Sequence, residues 1–104
     1  MESKLKAAFI FVAPDGNPAE HRSWVKTPAI DLLTVAVKNY EEAGQLAKEL
    51  LDDGIQAIEL CGGFGNKGTA MVTRAVDGKI PVGVVRFDIH PGLGGKSGDS
   101  IVMP

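Results

Sequence analysis

A glycine-rich stretch over residues 62–69 is where residue type and spacing first suggest chemistry. It follows a strand-like segment and precedes a helical pattern. Glycines at such a junction let backbone amides approach an anion, and a helix N-terminus favours negative charge. We therefore expect an anionic or phosphorylated small molecule to be bound by Gly62, Gly63, Gly65, Asn66, Lys67, Gly68 and Thr69, with Asp88 nearby.

Three of these glycines also match a dinucleotide-binding pattern. Gly63, Gly65 and Gly68 have the GxGxxG spacing, and Asp88 stands at the end of the next strand-like segment, where an acid holds a ribose hydroxyl. The chain lacks a second mononucleotide-binding half, and the helix is short for this motif. Dinucleotide binding, a more general anion site and a glycine turn without a ligand all remain open.

Two side chains are candidates for acid-base chemistry, Glu59 and His90. Glu59 stands between Ile58 and Leu60 in a strand-like segment, so its carboxylate should be partly buried and need a partner. Arg86 in the neighbouring predicted strand is one such partner, which makes a structural ion pair the alternative to catalysis. If the protein is an enzyme, we expect a lyase, isomerase or hydrolase that uses Glu59 or His90.

Cys61 is the only cysteine, so the chain cannot form an internal disulfide, and we expect a cytoplasmic protein. Its thiol is either a small buried hydrophobic group or a reactive one. Asp88 and His90 could be drawn as a metal-binding pair, but their spacing is not diagnostic. We predict no metal site and assign no cofactor.

The composition is that of one ordinary folded domain covering residues 1–104. Of the residues, 44% are hydrophobic and 23% are charged, and the net charge is -2. Because no basic stripe is present, nucleic acid is not an expected partner. No apolar run approaches the roughly 20 residues that cross a bilayer, so we expect no membrane insertion.

Strand and helix patterns alternate along the chain. Apolar segments predict strands over 7–13, 31–38, 55–61 and 80–87, and amphipathic patterns predict helices from Asn39 to Gly54 and over 67–77. This order predicts an α/β domain with a mainly parallel four- to five-stranded sheet and two main helices. Residues 14–30 are expected to form a long loop and the glycine-rich residues 91–99 a flexible segment, before a possible edge strand over 100–103.

The balance of sheet and helix predicts self-association. The predicted strands are apolar on both sides, as in sheets covered on both faces. Two helices supply too little apolar surface for both faces, and large exposed apolar patches are unusual in monomers. We therefore expect a homo-oligomer that associates through one face of the sheet. A structural oligomer with no ligand is the alternative to a binding protein or an enzyme.

Two segments carry a resemblance to a known family. Residues 54–65, which include Ile58-Glu59-Leu60-Cys61, and residues 80–86 resemble an uncharacterised family of small bacterial proteins of about this length, a domain of unknown function. The resemblance extends over nearly the whole chain and includes His21-Arg22. It implies bacterial origin and a stand-alone domain, and it implies no activity. The Ile-Glu-Leu-Cys stretch is also similar to a strand of some (β/α)-barrel proteins, but only locally.

Overall fold

The structure, a computed structural model, describes residues 4–101 and confirms the predicted α/β fold with a mostly parallel sheet. Five strands form a sheet of order β2-β3-β1-β4-β5, in which β2 alone is antiparallel to its neighbour. The strands are β1 (Leu5–Val12), β2 (Arg22–Lys26), β3 (Ile30–Val37), β4 (Ala57–Leu60) and β5 (Val82–Val84), and the helices are α1 (Tyr40–Asp52) and α2 (Asn66–Val76).

Helix α1 begins where its capping residues predict. The Asn39 side chain accepts a hydrogen bond from the Glu42 backbone N–H at 2.8 Å, and the Glu42 carboxylate accepts one from the Lys38 backbone N–H at 2.9 Å. At the other end, Gly54 has φ +88, the left-handed conformation that suits glycine after a helix. These contacts fix the backbone of Lys38 at the end of β3.

Both helices lie on the same face of the sheet. The connection through α1 runs from β3 across β1 to β4, and the connection through α2 continues in the same direction to β5. Crossovers of one hand that move the same way across a sheet place their helices on the same side. Alternate strand residues, such as Ile10, Val35 and Leu60, therefore share one core with Leu46 of α1 and Val72 of α2.

The opposite side of the sheet carries no helix in the described chain, and we call it the open face. Side chains alternate between faces along a strand, and strand register identifies the residues on this side. The open face is therefore largely apolar. It consists of Leu5, Ala7, Phe9, Phe11, Ser23, Val25, Ile30, Leu32, Thr34, Ala36, Ala57, Glu59 and Gly83.

The prediction of a loop throughout residues 14–30 is wrong for Arg22–Lys26, which form the edge strand β2. All five residues of β2 are exposed, so the segment lacks the apolar periodicity by which a buried strand is recognised. Before it, Asn17 forms a turn in which its side chain accepts from the Ala19 backbone N–H.

The glycine-rich tail contains two short 3₁₀ turns, Pro91–Leu93 and Gly98–Ser100. The edge strand that the sequence suggested over 100–103 does not begin at Ser100, which belongs to the second turn, and residues 102–104 lie outside the described chain. Among the described residues, no helix has the length and apolar character needed to cross a bilayer.

Candidate functional site

The N-terminus of α2, where the sequence predicts an anion site, holds a carboxylate of the same chain. The backbone N–H groups of Lys67 and Gly68 donate to the two oxygens of Asp99, at 2.9 Å and 3.2 Å. These first-turn donors have no partner within the helix, and a carboxylate there also interacts favourably with the helix dipole. Asp99 therefore occupies the position that an external anion would take.

Tyr40 joins this carboxylate to the rest of the fold. Its hydroxyl accepts from the Gly65 backbone N–H at 3.0 Å and lies within hydrogen-bonding distance of the Gly63 carbonyl oxygen and of Asp99 Oδ1, at 3.1 Å and 3.2 Å. Burial raises the pKa of the Tyr40 hydroxyl to about 12, and the negative charge of Asp99 adds to the rise. Tyr40 thus connects the start of α1, the glycine-rich loop and the tail as a neutral phenol.

Close packing accounts for three glycines of this region. A Cβ on Gly68 would lie 2.5 Å from the ring of Tyr40, one on Gly65 would overlap Asp99, and one on Gly98 would overlap the carbonyl group of Gly63. None of the three has the positive φ that favours glycine. Their role in this structure is the close approach of loop, helix and tail.

The predicted ligand residues Asn66, Thr69 and Asp88 line a cavity of only about 50 Å³ beside the glycine-rich loop. Arg86 crosses it, donating to Asn66 Oδ1 at 3.2 Å and forming an ion pair with Asp88 at 2.9 Å. Drug-sized ligands fill roughly 300–1,000 Å³, so this space is too small for a dinucleotide.

Glu59 and Arg86 do not form the ion pair that the sequence suggested. Glu59 is exposed on the open face, between Phe9 and Gly83 in register, whereas Arg86 binds Asp88 and Asn66 on the helix side. The apolar neighbours Ile58 and Leu60 are buried because they point to the opposite face from Glu59. The expectation of a partly buried Glu59 is therefore wrong.

A larger cavity of about 380 Å³ lies beyond the carboxyl ends of the three parallel strands β1, β3 and β4. The connection that leaves β1 leads to the edge strand β2, on the β3 side of the sheet. The connection that leaves β4, on the other side of β1, leads away to β5. Such a divergence is the topological switch point at which open α/β sheets bind ligands. We call this space the switch-point cavity; its lining is Val12, Ala13, Pro14, Lys38, Cys61, Gly63, His90, Gly92, Leu93 and Ile101.

The polar side chains of the switch-point cavity are Lys38, Cys61 and His90, and none of the described residues that line it carries a carboxylate. Lys38 follows β3 and is exposed, so its ammonium group is available at the rim. Cys61 is half-buried and free, and its sulfur accepts from the Gly63 backbone N–H at 3.3 Å. The charge of the lining therefore favours a negatively charged ligand.

His90 is held in one orientation by two contacts. Its Nδ1 accepts from the Gly92 backbone N–H at 3.0 Å, which leaves the proton of the neutral ring on Nε2. The ring also packs on Phe87 with centroids 4.7 Å apart, and Phe87 in turn occupies the space that a Cβ on Gly62 would need. Gly62 thus contributes to the placement of His90 and does not line the switch-point cavity.

The structure brings together only part of the predicted site. His90 and Gly63 line the switch-point cavity, the loop residues from Gly65 to Thr69 surround the start of α2, Gly62 packs against Phe87, and Glu59 lies on the open face. Lys38 was not named as a ligand residue, although it ends the strand predicted over 31–38 and so lies at the carboxyl end where parallel sheets bind ligands. Within residues 4–101, no three histidine, cysteine or acidic side chains meet in a way that would hold a metal ion.

Comparison with known proteins places the chain in a family. Residues 5–100 match a family of unknown function (DUF6506), so the chain belongs to that family, and the predicted relationship to an uncharacterised small domain is confirmed. No curated protein and no solved structure shows significant similarity to this chain.

Proposed function

We propose that this protein binds a small organic anion in the switch-point cavity, with Lys38 as the charged contact. The observation that carries the proposal is a cavity of about 380 Å³ at the switch point of the sheet, with a lysine at its rim and no acid among the lining residues within 4–101. The proposal moves the anion site from the glycine-rich loop, where the sequence suggested it, to the neighbouring carboxyl ends of the strands.

The lining also supports a class of ligand. Val12, Leu93 and Ile101 provide apolar contact, whereas Lys38 Nζ and His90 Nε2–H are donors for an acidic group. The cavity volume lies near the lower limit for small-molecule sites, which favours a compact metabolite. Carboxylate and phosphate groups share the chemistry that this pair of donors recognises.

The proposal is tested with ¹⁵N-labelled protein and two ligand panels, one of small apolar carboxylates and one of phosphorylated metabolites. We expect at least one panel member to shift the amide resonances of Cys61, Gly63 and Gly92. Lys38→Gln should weaken that binding about tenfold or more, because a charge-assisted hydrogen bond contributes roughly 1.5–3 kcal/mol.

Lys79→Gln is the matched control. Lys79 is exposed and lies before β5, at the end of the sheet away from the cavity, so its loss should leave the affinity unchanged. Equal weakening by both substitutions would indicate nonspecific attraction by net charge. Shifts confined to Lys67 and Gly68 would place the anion at α2 and contradict the proposal.

An enzyme is the second candidate, and one observation favours it: His90 and Cys61 line the same cavity, with the His90 ring oriented by Gly92. In a lyase, isomerase or hydrolase, His90 Nε2–H would act as the general acid. Glu59 lies on the open face and does not line this cavity. NMR spectra of a bound ligand followed over time distinguish the two candidates, since conversion that is lost in His90→Gln supports an enzyme and an unchanged ligand supports a binding protein.

The setting we propose is the bacterial cytoplasm. A single free cysteine is typical of proteins from a reducing compartment, and the resemblance to small bacterial proteins supports the source. Immunodetection of the tagged chain in fractionated cells of its source tests this assignment, and recovery from a secreted fraction would contradict it.

A further inference from the structure

The open face is an apolar sheet surface that the described fold leaves without a covering layer. Leu5, Val25 and Ile30 are 43%, 56% and 42% exposed, although they lie on strands of the sheet. Phe9, Phe11 and Leu32 lie between them and are half-buried. Predominantly parallel sheets are normally covered on both faces, and the part of the chain that the structure describes supplies no second layer here.

The size of this surface approaches that of a small stable interface. The five strands contain 28 residues in all. At a rise of about 3.3 Å per residue and a strand spacing of about 4.8 Å, they cover a flat area of about 440 Å², to which the raised side chains add. Standard interfaces bury about 600–1,000 Å² on each partner, whereas isolated apolar patches of monomers rarely exceed about 600 Å².

The distribution of polar groups on the open face favours a second copy of the same chain as its occupant. Glu59 is the one charged side chain among the described strand residues of this face, and it lies on β4, beside the central strand β1. We consider a two-fold axis that is parallel to β1 and lies midway between two facing sheets. It would place the two Glu59 carboxylates on opposite sides of the axis, about 10 Å apart across the strands. The like charges would then not face each other.

The same axis gives Glu59 a partner. Thr34 on β3 and Glu59 on β4 both lie beside Phe9 in register, on opposite sides of β1. Rotation about β1 therefore brings the Thr34 hydroxyl of the second copy over Glu59, where it can donate to the carboxylate. The two Phe9 rings meet near the axis, as aromatic residues do at the centre of an interface.

We propose that a second copy of this chain covers the open face and forms a two-fold dimer with two packed sheets between outer helix layers. The inner faces pack about 10 Å apart, as in other sheet-on-sheet cores. The switch-point cavity lies beyond the carboxyl ends of the strands and stays accessible in this arrangement. The dimer is independent of the proposed ligand.

Sedimentation velocity over a range of protein concentrations tests the dimer. We expect the wild-type chain to sediment as a dimer at micromolar concentration. Phe9→Asp and Val25→Asp should each raise the dimer dissociation constant at least tenfold, because each places a carboxylate in the apolar interface. Ile89→Asp is the control, since Ile89 is 71% exposed but lies outside the sheet, and it should leave the dimer intact.

Circular dichroism of each variant shows whether it is folded. If Phe9→Asp unfolds, Val25→Asp still tests whether the open face forms the dimer. Val25 lies on the exposed edge strand β2, where its side chain makes few contacts within the chain. A wild-type chain that stays monomeric at high micromolar concentration overturns the proposal and leaves the face for a different partner. A dimer that Val25→Asp does not weaken, or that Ile89→Asp weakens equally, also overturns it.

Discussion

Asp99 performs within the chain the role that an external anion performs at many helix N-termini. Its carboxylate accepts from Lys67 and Gly68 of α2 and is joined to Tyr40. It therefore fixes the tail, whose residues from His90 onward enclose one side of the switch-point cavity. Asp99, which lies outside the glycine-rich loop over 62–69, thus stabilises both that loop and the candidate site.

Replacement of this carboxylate tests whether the α2 terminus is a latent anion site. Asp99→Ala should lower the free energy of unfolding by about 1–2 kcal/mol, as the loss of a helix cap does. Added phosphate should restore part of that loss by occupying the vacated donors. Urea denaturation with and without phosphate measures both effects. Asp88→Ala is the control, because it removes an exposed carboxylate without freeing the α2 amides, and equal restoration in both variants would contradict a specific site.

Tyr40 should make the protein less stable in alkali. Its pKa is about 12 in the folded chain and about 10 in the unfolded chain, so the folded state holds the phenol proton more tightly. The stabilisation is therefore complete below pH 10 and is lost as the pH rises from about 10 to about 12, by up to roughly 1.4 kcal/mol per pH unit. Tyr40→Phe should remove this part of the pH dependence.

The titration can be observed directly because Tyr40 is the only tyrosine. The ultraviolet absorbance of the phenolate should appear well above pH 10 in the folded protein and near pH 10 in urea. A folded-state titration with a midpoint near 10 would show that the hydroxyl is not protected by burial.

At the scale of elements, two helical glycines make a matched comparison. Gly44→Ala in α1 should stabilise the protein by up to about 1 kcal/mol, since the new methyl would meet Ala75 at an ordinary 3.7 Å. Gly68→Ala in α2 should instead destabilise it by about 1–3 kcal/mol, because the methyl would lie 2.5 Å from the fully buried Tyr40 ring. Chemical denaturation of both variants gives the two values, and a stabilising Gly68→Ala would refute the close packing of α2 on α1.

The helices and inner strands were predictable because each buries one periodic side. Asn39 and Gly54 marked the ends of α1, and apolar runs marked β1 and β3. Strand β2 was not predictable in the same way, since its exposed residues form a strand only through hydrogen bonds to β3. The pattern Ile58-Glu59-Leu60 was misinterpreted because alternation shows that two faces exist but not which one a helix covers.

At the scale of the whole molecule, the candidate site depends on strand order, which local sequence patterns do not contain. Lys38, Cys61 and His90 are far apart in sequence and meet only because β1 lies between β3 and β4. The sequence predicts too few helices to cover both faces of the sheet, and for that reason it predicts an oligomer. Because the structure places both helices on one side, the open face is the surface through which we propose that the chains associate.

Self-association through the open face should make stability depend on protein concentration. A dimer that unfolds to two separate chains gains about 1.4 kcal/mol of stability for each tenfold rise in concentration, since dissociation and unfolding are then coupled. We expect the urea midpoint of the wild-type chain to rise accordingly, and that of Val25→Asp to rise less because a larger share of its weakened dimer dissociates before the chains unfold. Ile89→Asp should follow the wild type. A wild-type midpoint that does not change over a hundredfold range of concentration would mean that each chain is stable with its open face in water.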